Sequence, residues 1–120
     1  MIFTSYYANH NKYTGFYKIG ISRTAPKNSC DIYLKLLAPD YLTLNSYKSK
    51  KIDGEEYSRQ YLQKLEQLYS NGLLNLFAEY LAHHNMDIVL LCYESPDKFC
   101  HRHLLACFLN KRYGLKIKEL

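Results

Sequence analysis

One stretch constrains the fold more than any other. Residues Met86-Asp87-Ile88-Val89-Leu90-Leu91-Cys92-Tyr93 form a near-continuous apolar run. A strand with one wet face alternates apolar and polar residues. A run without alternation implies burial on both faces, as at the centre of a parallel sheet. Downstream, Leu104, Leu105, Phe108, Leu109 and Tyr113 share a face of a helix that starts near Cys100 and stops at Gly114. Leu115-Lys116-Ile117 then reads as a last strand. Strand, helix, strand is the unit from which parallel α/β sheets are assembled.

The remaining segments fit such a sheet. Ile2–Tyr7 is β-rich, and Asn9-His10-Asn11-Lys12 reads as a polar turn or loop. Phe16–Ser22 is the next strand candidate. It stops at Ser22-Arg23-Thr24-Ala25-Pro26, because proline cannot continue a central strand. Asp53, with Glu56 three residues on, opens a helix in the manner of a capping box. Tyr57, Tyr61, Leu65, Leu68 and Tyr69 carry its periodicity, and Asn71-Gly72 breaks it. Leu73, Phe77, Tyr80 and Leu81 mark a second amphipathic helix that ends near His83-His84-Asn85. The least regular part is Cys30–Ile52, where a leucine-rich stretch is interrupted by Pro39. It reads as a short turn of helix followed by an irregular basic loop through Lys48, Lys50 and Lys51. The expected fold is one α/β domain over residues 1–120, with a small, mostly parallel sheet flanked by helices in Rossmann-like layering.

Composition narrows the function. With 48% hydrophobic and 22% charged residues, the 120-residue chain is globular. A net charge of +5 suits a phosphate-bearing partner. Thirteen tyrosines against 5 Phe and no Trp serve half-buried packing or a face for planar ligands. Cys30, Cys92, Cys100 and Cys107 lack the two-residue gap of zinc knuckles and thioredoxin-type sites. The expectation is free thiols in a reduced, cytoplasmic protein with no metal, no cofactor and no intrachain disulfide. Met1-Ile2-Phe3-Thr4-Ser5 has no secretory pattern, and no run of about 18 apolar residues offers a membrane span.

Ligands of open α/β sheets bind beyond the carboxyl ends of the strands. Two such ends here are chemically rich. One carries Ser22 and Arg23; the other carries Glu94, then Cys100, His101 and Arg102 at a helix start. Helix N-termini attract anions, and arginine adds a forked, permanently charged donor. Glu94 can accept from a hydroxyl or act as a base. Each residue also has a structural alternative: a cap for Glu94, an ion pair for Arg102, a packed core position for Cys100 and His101, a turn for Ser22 and Arg23. Cys100 and His103 share a helix face, but without further converging ligands they do not make a zinc site.

The run Leu90-Leu91-Cys92-Tyr93-Glu94, a proline-bearing loop, and Cys100-His101-Arg102-His103-Leu104-Leu105-Ala106 resemble the signature of the domain of unknown function 488 family. Ile19-Gly20-Ile21-Ser22-Arg23 and Ala25-Pro26 are similar to that family's first block, and Glu119 to an acidic residue near its end. The resemblance implies a small α/β domain with a polar pocket formed by Ser22, Arg23, Glu94, Cys100, His101 and Arg102. It implies no particular reaction.

The leading expectation is a pocket for an anionic, phosphorylated or nucleotide-like small molecule. Arg23 and Arg102 hold the anion, Ser22 and helix amides orient it, and Glu94 reads a hydroxyl or amine. Such a protein binds, for example by sequestering a nucleotide signal in a virus–host contest. One alternative is an enzyme acting on a nucleotide or glycosidic bond with Glu94 or His101 as acid/base. Another is a nucleic-acid-associated module using Lys48–Lys51. Self-association is left open, and no membrane partner is expected.

Overall fold

The computed structural model describes residues 1–95 and 98–120. Pro96 and Asp97, part of the loop singled out in the sequence, lie outside the described residues. Five strands form one sheet: β1 (Ile2–Tyr6), β2 (Tyr17–Gly20), β3 (Ile32–Tyr33), β4 (Ile88–Cys92) and β5 (Lys118–Glu119). Their order is β3-β2-β4-β1-β5, and every neighbouring pair is parallel. The helices are α1 (Tyr41–Lys48), α2 (Gly54–Ser70), α3 (Leu73–Ala82) and α4 (His101–Tyr113). Short 3₁₀ segments cover Tyr7–Lys12 and Lys35–Leu37.

The apolar run forms the central strand. All five residues of β4 are buried. Ile88 and Leu90 pack into the main core with Tyr61 and Leu65 of α2, Leu74 and Phe77 of α3, and Leu105 and Leu109 of α4. Val89 and Leu91 face a smaller cluster built around Tyr7 and Tyr13. Burying each such aliphatic side chain stabilises the fold by about 1.5–3 kcal/mol relative to exposure, so two-faced burial makes β4 the anchor of the sheet.

The helix signals act as expected. The Asp53 carboxylate accepts from Glu56 N–H at 2.9 Å. Gly72, at φ +84°, supplies the left-handed residue between α2 and α3. Glu56, however, turns its carboxylate to Arg59 and Gln60 instead of closing the box.

Two expectations change. The expected short turn of helix is a regular two-turn helix that reaches Lys48, and only the chain beyond it, through Lys50 and Lys51, is irregular. Asp40 enters α1 in extended conformation, Thr43 Oγ1 donates to Gln60 Oε1 at 2.8 Å, and Leu44 and Tyr47 pack on the core. Polar Asn45, Ser46 and Lys48 hide this two-turn helix from a periodicity reading. The last strand lies at Lys118–Glu119, not Leu115–Ile117. The Asn110 carboxamide occupies both backbone groups of Ile117, at 2.9 and 3.1 Å, which delays strand pairing. No helix among the described residues is long and apolar enough to cross a membrane.

Candidate small-molecule pocket at the strand ends

Parallel pairing brings distant residues together. Gly20 of β2 lies opposite Leu91 of β4, and Ile21 N–H donates to Leu91 O at 2.9 Å. The chain therefore leaves both strands at the same edge, with Ser22-Arg23 beside Tyr93-Glu94. A cavity of about 570 Å³ opens there, with Ser22, Arg23, Glu94, Cys100 and His101 in its lining. Tyr93 also borders a second hollow of about 600 Å³ that includes Tyr7, Lys18 and Asp31.

The lining adds residues that the sequence reading passed over. Lys48, from the end of α1, and Lys98 bring further positive charge. Tyr47, Tyr57 and Phe99 form a cluster with ring centroids 5.0, 5.1 and 5.7 Å apart. Phe99 is 40% exposed, so part of a ring surface remains open. Tyr57 was legible as a position on the inner face of α2. Lys48 was visible as part of the basic stretch, although assigned there to nucleic acid.

Each predicted site residue now has a position. Arg23 is half-buried, gives one N–H to Pro39 O at 3.3 Å, and lies 5.7 Å from the Tyr41 ring centroid. A guanidinium has five N–H donors, so one tether leaves most of its capacity. Ser22 takes a bracing role instead of the expected contact with an anion. Its hydroxyl donates to Thr24 O at 2.5 Å, so the 2.7 Å contact with Tyr7 has the tyrosine O–H as donor. Burial raises the Tyr7 hydroxyl to about 12, which keeps that donor protonated. Gly20 makes room for this: a Cβ there would stand 2.9 Å from Tyr7 Oη and 3.1 Å from Cys30 Sγ.

Glu94 is half-buried at the cavity wall. Tyr57 registers its charge: burial, and secondarily the Glu94 carboxylate, push the tyrosine hydroxyl upward. His101 is buried, and its Nε2 lies 2.7 Å from Ile21 O. A carbonyl only accepts, so Nε2 carries the hydrogen. The ring stacks edge-on to Tyr61 at 5.4 Å. Desolvation lowers its pKa to about 4, with Arg102 adding to the effect, so the ring is neutral near pH 7.

Arg102 departs from the expectation. It is 0% exposed and is not among the residues lining the cavity. Its Nε and Nη2 donate to Glu119 at 3.1 and 2.9 Å. Nη1 donates to Glu94 O and, at 2.9 Å, to Cys92 Sγ. Thr4 Oγ1 also donates to Glu119 at 2.6 Å. A bidentate pair at these distances consumes the fork. Arg102 therefore holds the backbone of Glu94 in place from behind the site and does not reach an anion in the pocket.

The cysteines require a second correction. Cys92 and Cys100 are joined as a disulfide, whereas Cys30 and Cys107 are free. Eight residues of separation give no sequence signal. The contact exists because β4 ends at Cys92 and Cys100 is the N-cap of α4. Cys92, Cys100 and His101 place three ligand-type atoms within 4.8 Å of one another. Joined sulfurs offer no thiolate, so this trio does not fit a metal in the bridged form.

The family described as DUF488-N3a, the active DUF488-N3 subclade, matches residues 2–113. The chain belongs to the domain of unknown function 488 family. The match spans Ser22, Arg23, Glu94 and the Cys100-His101-Arg102 block, and stops before β5 and Glu119. The partner of Arg102 thus comes from outside the matched segment. No curated protein and no solved structure matches the chain.

Proposed function

We propose that the chain binds a phosphate-bearing, nucleotide-like small molecule in the pocket at the strand carboxyl ends. The observation that carries this reading is the joint presence of Arg23, Lys48 and Lys98 with Tyr47, Tyr57, Tyr93 and Phe99 around one cavity. Cations suit the phosphate and aromatic faces suit a base. Its size, about 570 Å³, falls among small-molecule sites. Glu94 is the acceptor for a ligand hydroxyl or exocyclic amine.

Binding is favoured over acid/base catalysis. A histidine lowered to about 4 carries no proton to donate near neutral pH. Sequestration of a nucleotide signal needs binding alone. Mass spectrometry of small molecules released from denatured, freshly purified protein should yield a phosphorylated, base-containing compound. Calorimetric titration of that compound should then show affinity that changes modestly between roughly 50 and 200 mM salt. A fall on the order of fortyfold, which three lysine–phosphate contacts give over that range, would mark polyanion binding by Lys48, Lys50 and Lys51 instead.

A further inference from the structure

The bridged pair sits in two unlike environments. Cys100 borders the pocket, whereas Cys92 is 0% exposed at the end of β4. Cys100 caps the 13-residue α4, whose amides favour negative charge at that position. Its Sγ lies 3.7 Å from His101 Nδ1. Because His101 Nε2 holds its hydrogen against Ile21 O, Nδ1 presents a lone pair toward that sulfur. Behind Cys92, Arg102 Nη1 aims an N–H at Sγ from 2.9 Å. A fixed cation there stabilises sulfur as a thiolate, whether it attacks or departs.

We propose that Cys92 and Cys100 are a working dithiol–disulfide pair that exchanges with low-molecular-weight disulfides entering the pocket, with Cys100 as the entry thiol and Cys92 as the resolving thiol. In the oxidising direction the Cys100 thiol, which faces His101 Nδ1, gives up its proton to solvent in the pocket. The Cys100 thiolate attacks one sulfur of the small disulfide, whose S–S bond breaks. The departing thiolate recovers the proton, and a mixed disulfide remains on Cys100. The Cys92 thiolate, held by Arg102, then attacks Cys100 Sγ. The second small thiol leaves and takes up the proton that Cys92 lost. Two protein thiols become one disulfide, and one small disulfide becomes two thiols. In reverse, an external thiolate attacks Cys100, and Cys92 departs as the thiolate that Arg102 stabilises. The pair closes around the segment that carries Glu94, Lys98 and Phe99 of the pocket wall, so exchange and occupancy of the pocket should compete.

The test uses the full chain with Cys30→Ser and Cys107→Ser as background, so that only the pair reacts. Equilibrated in glutathione buffers of graded ratio, it should pass reversibly between two free thiols and one Cys92–Cys100 bridge, read by alkylation and peptide mapping. Adding Cys92→Ser should trap glutathione on Cys100, and adding Cys100→Ser should abolish adduct formation. As a measurement independent of those variants' folding, a brief pulse of glutathione disulfide on the reduced background protein, quenched in acid, should place the first adduct on Cys100. First adducts on Cys92, or two thiols that stay free across all buffers, would overturn the proposal. So would one zinc retained per reduced chain with no bridge forming.

Discussion

Two arginines stand near the carboxyl ends of the same strands, and their surroundings differ. Arg23 is half-buried on a cavity wall and, among the described residues, has one hydrogen-bonded tether, to Pro39. Arg102 is fully buried and committed to Glu119, Glu94 O and Cys92 Sγ. Residue type and position at a strand end do not distinguish them. The number of acceptors supplied by the protein does. An arginine whose fork is filled from within is part of the scaffold, and one with spare donors facing a cavity is available to a ligand.

The comparison breaks most readily at Arg102. Arg102→Ala should destabilise the chain by about 3 kcal/mol or more in urea unfolding, since removing one partner of a buried pair typically costs about 3–5 kcal/mol. Glu119 is partly exposed, which places this change at the lower end. Glu119→Gln should cost at least as much, because it strands the fully buried guanidinium. Arg23→Ala should change stability by less than about 0.5 kcal/mol, as surface substitutions usually do. Equal losses at the two arginines would erase the distinction.

A pH series sharpens the same contrast between buried scaffold and open wall. The folded His101 pKa, about 4, is below its unfolded value of 6.5. The unfolded chain therefore binds the proton first, and stability falls as pH drops from about 6.5 to about 4, then levels. The loss is roughly 3 kcal/mol for this group. His103, shifted the same way by burial, adds to the slope. Glu56, lowered to about 2 by Arg59 and Gln60, acts in a separate, more acidic window below 4.5. His101→Gln keeps a donor for Ile21 O and should flatten most of the slope between pH 6.5 and 4 in chemical denaturation. An unchanged slope would contradict the buried, neutral imidazole.

Gly20→Ala should have a smaller effect, about 1–2 kcal/mol, because the added Cβ meets Tyr7 Oη and Cys30 Sγ. It should also disturb the Tyr7–Ser22 brace beneath the Arg23 turn. Weaker binding of a pocket ligand should therefore accompany its thermal shift. A melt and ligand affinity identical to wild type would show that the close approach is easily relieved.

The legible parts of this protein were those with one dominant local cause. β4 is announced by its apolar run, α2 by Asp53 and a steady period, and the shared edge by the parallel pairing that a βαβ pattern predicts. Arg102 and Cys92 were not legible in their roles. Their partners lie on β5 and at the start of α4, and only the folded chain counts acceptors around a guanidinium or brings Cys100 to the end of β4. Ser22 lies at the cavity, but its hydroxyl is engaged by Tyr7 and Thr24. The Tyr47–Tyr57–Phe99 cluster draws one residue each from α1, α2 and the segment before α4, so no sequence window contains it.

The most direct test of the central claim is a calorimetric titration of wild type, Arg23→Ala and Arg23→Lys against a panel of mono- and dinucleotides at fixed salt. For any ligand that the wild type binds, Arg23→Ala should lose about 1.5–3 kcal/mol of affinity, the range for a charge-assisted hydrogen bond, with melting unchanged. Arg23→Lys should recover only part of it, because an ammonium cannot reproduce the planar fork. Unaltered affinity in Arg23→Ala for a ligand that the wild type binds would contradict the assignment of the pocket.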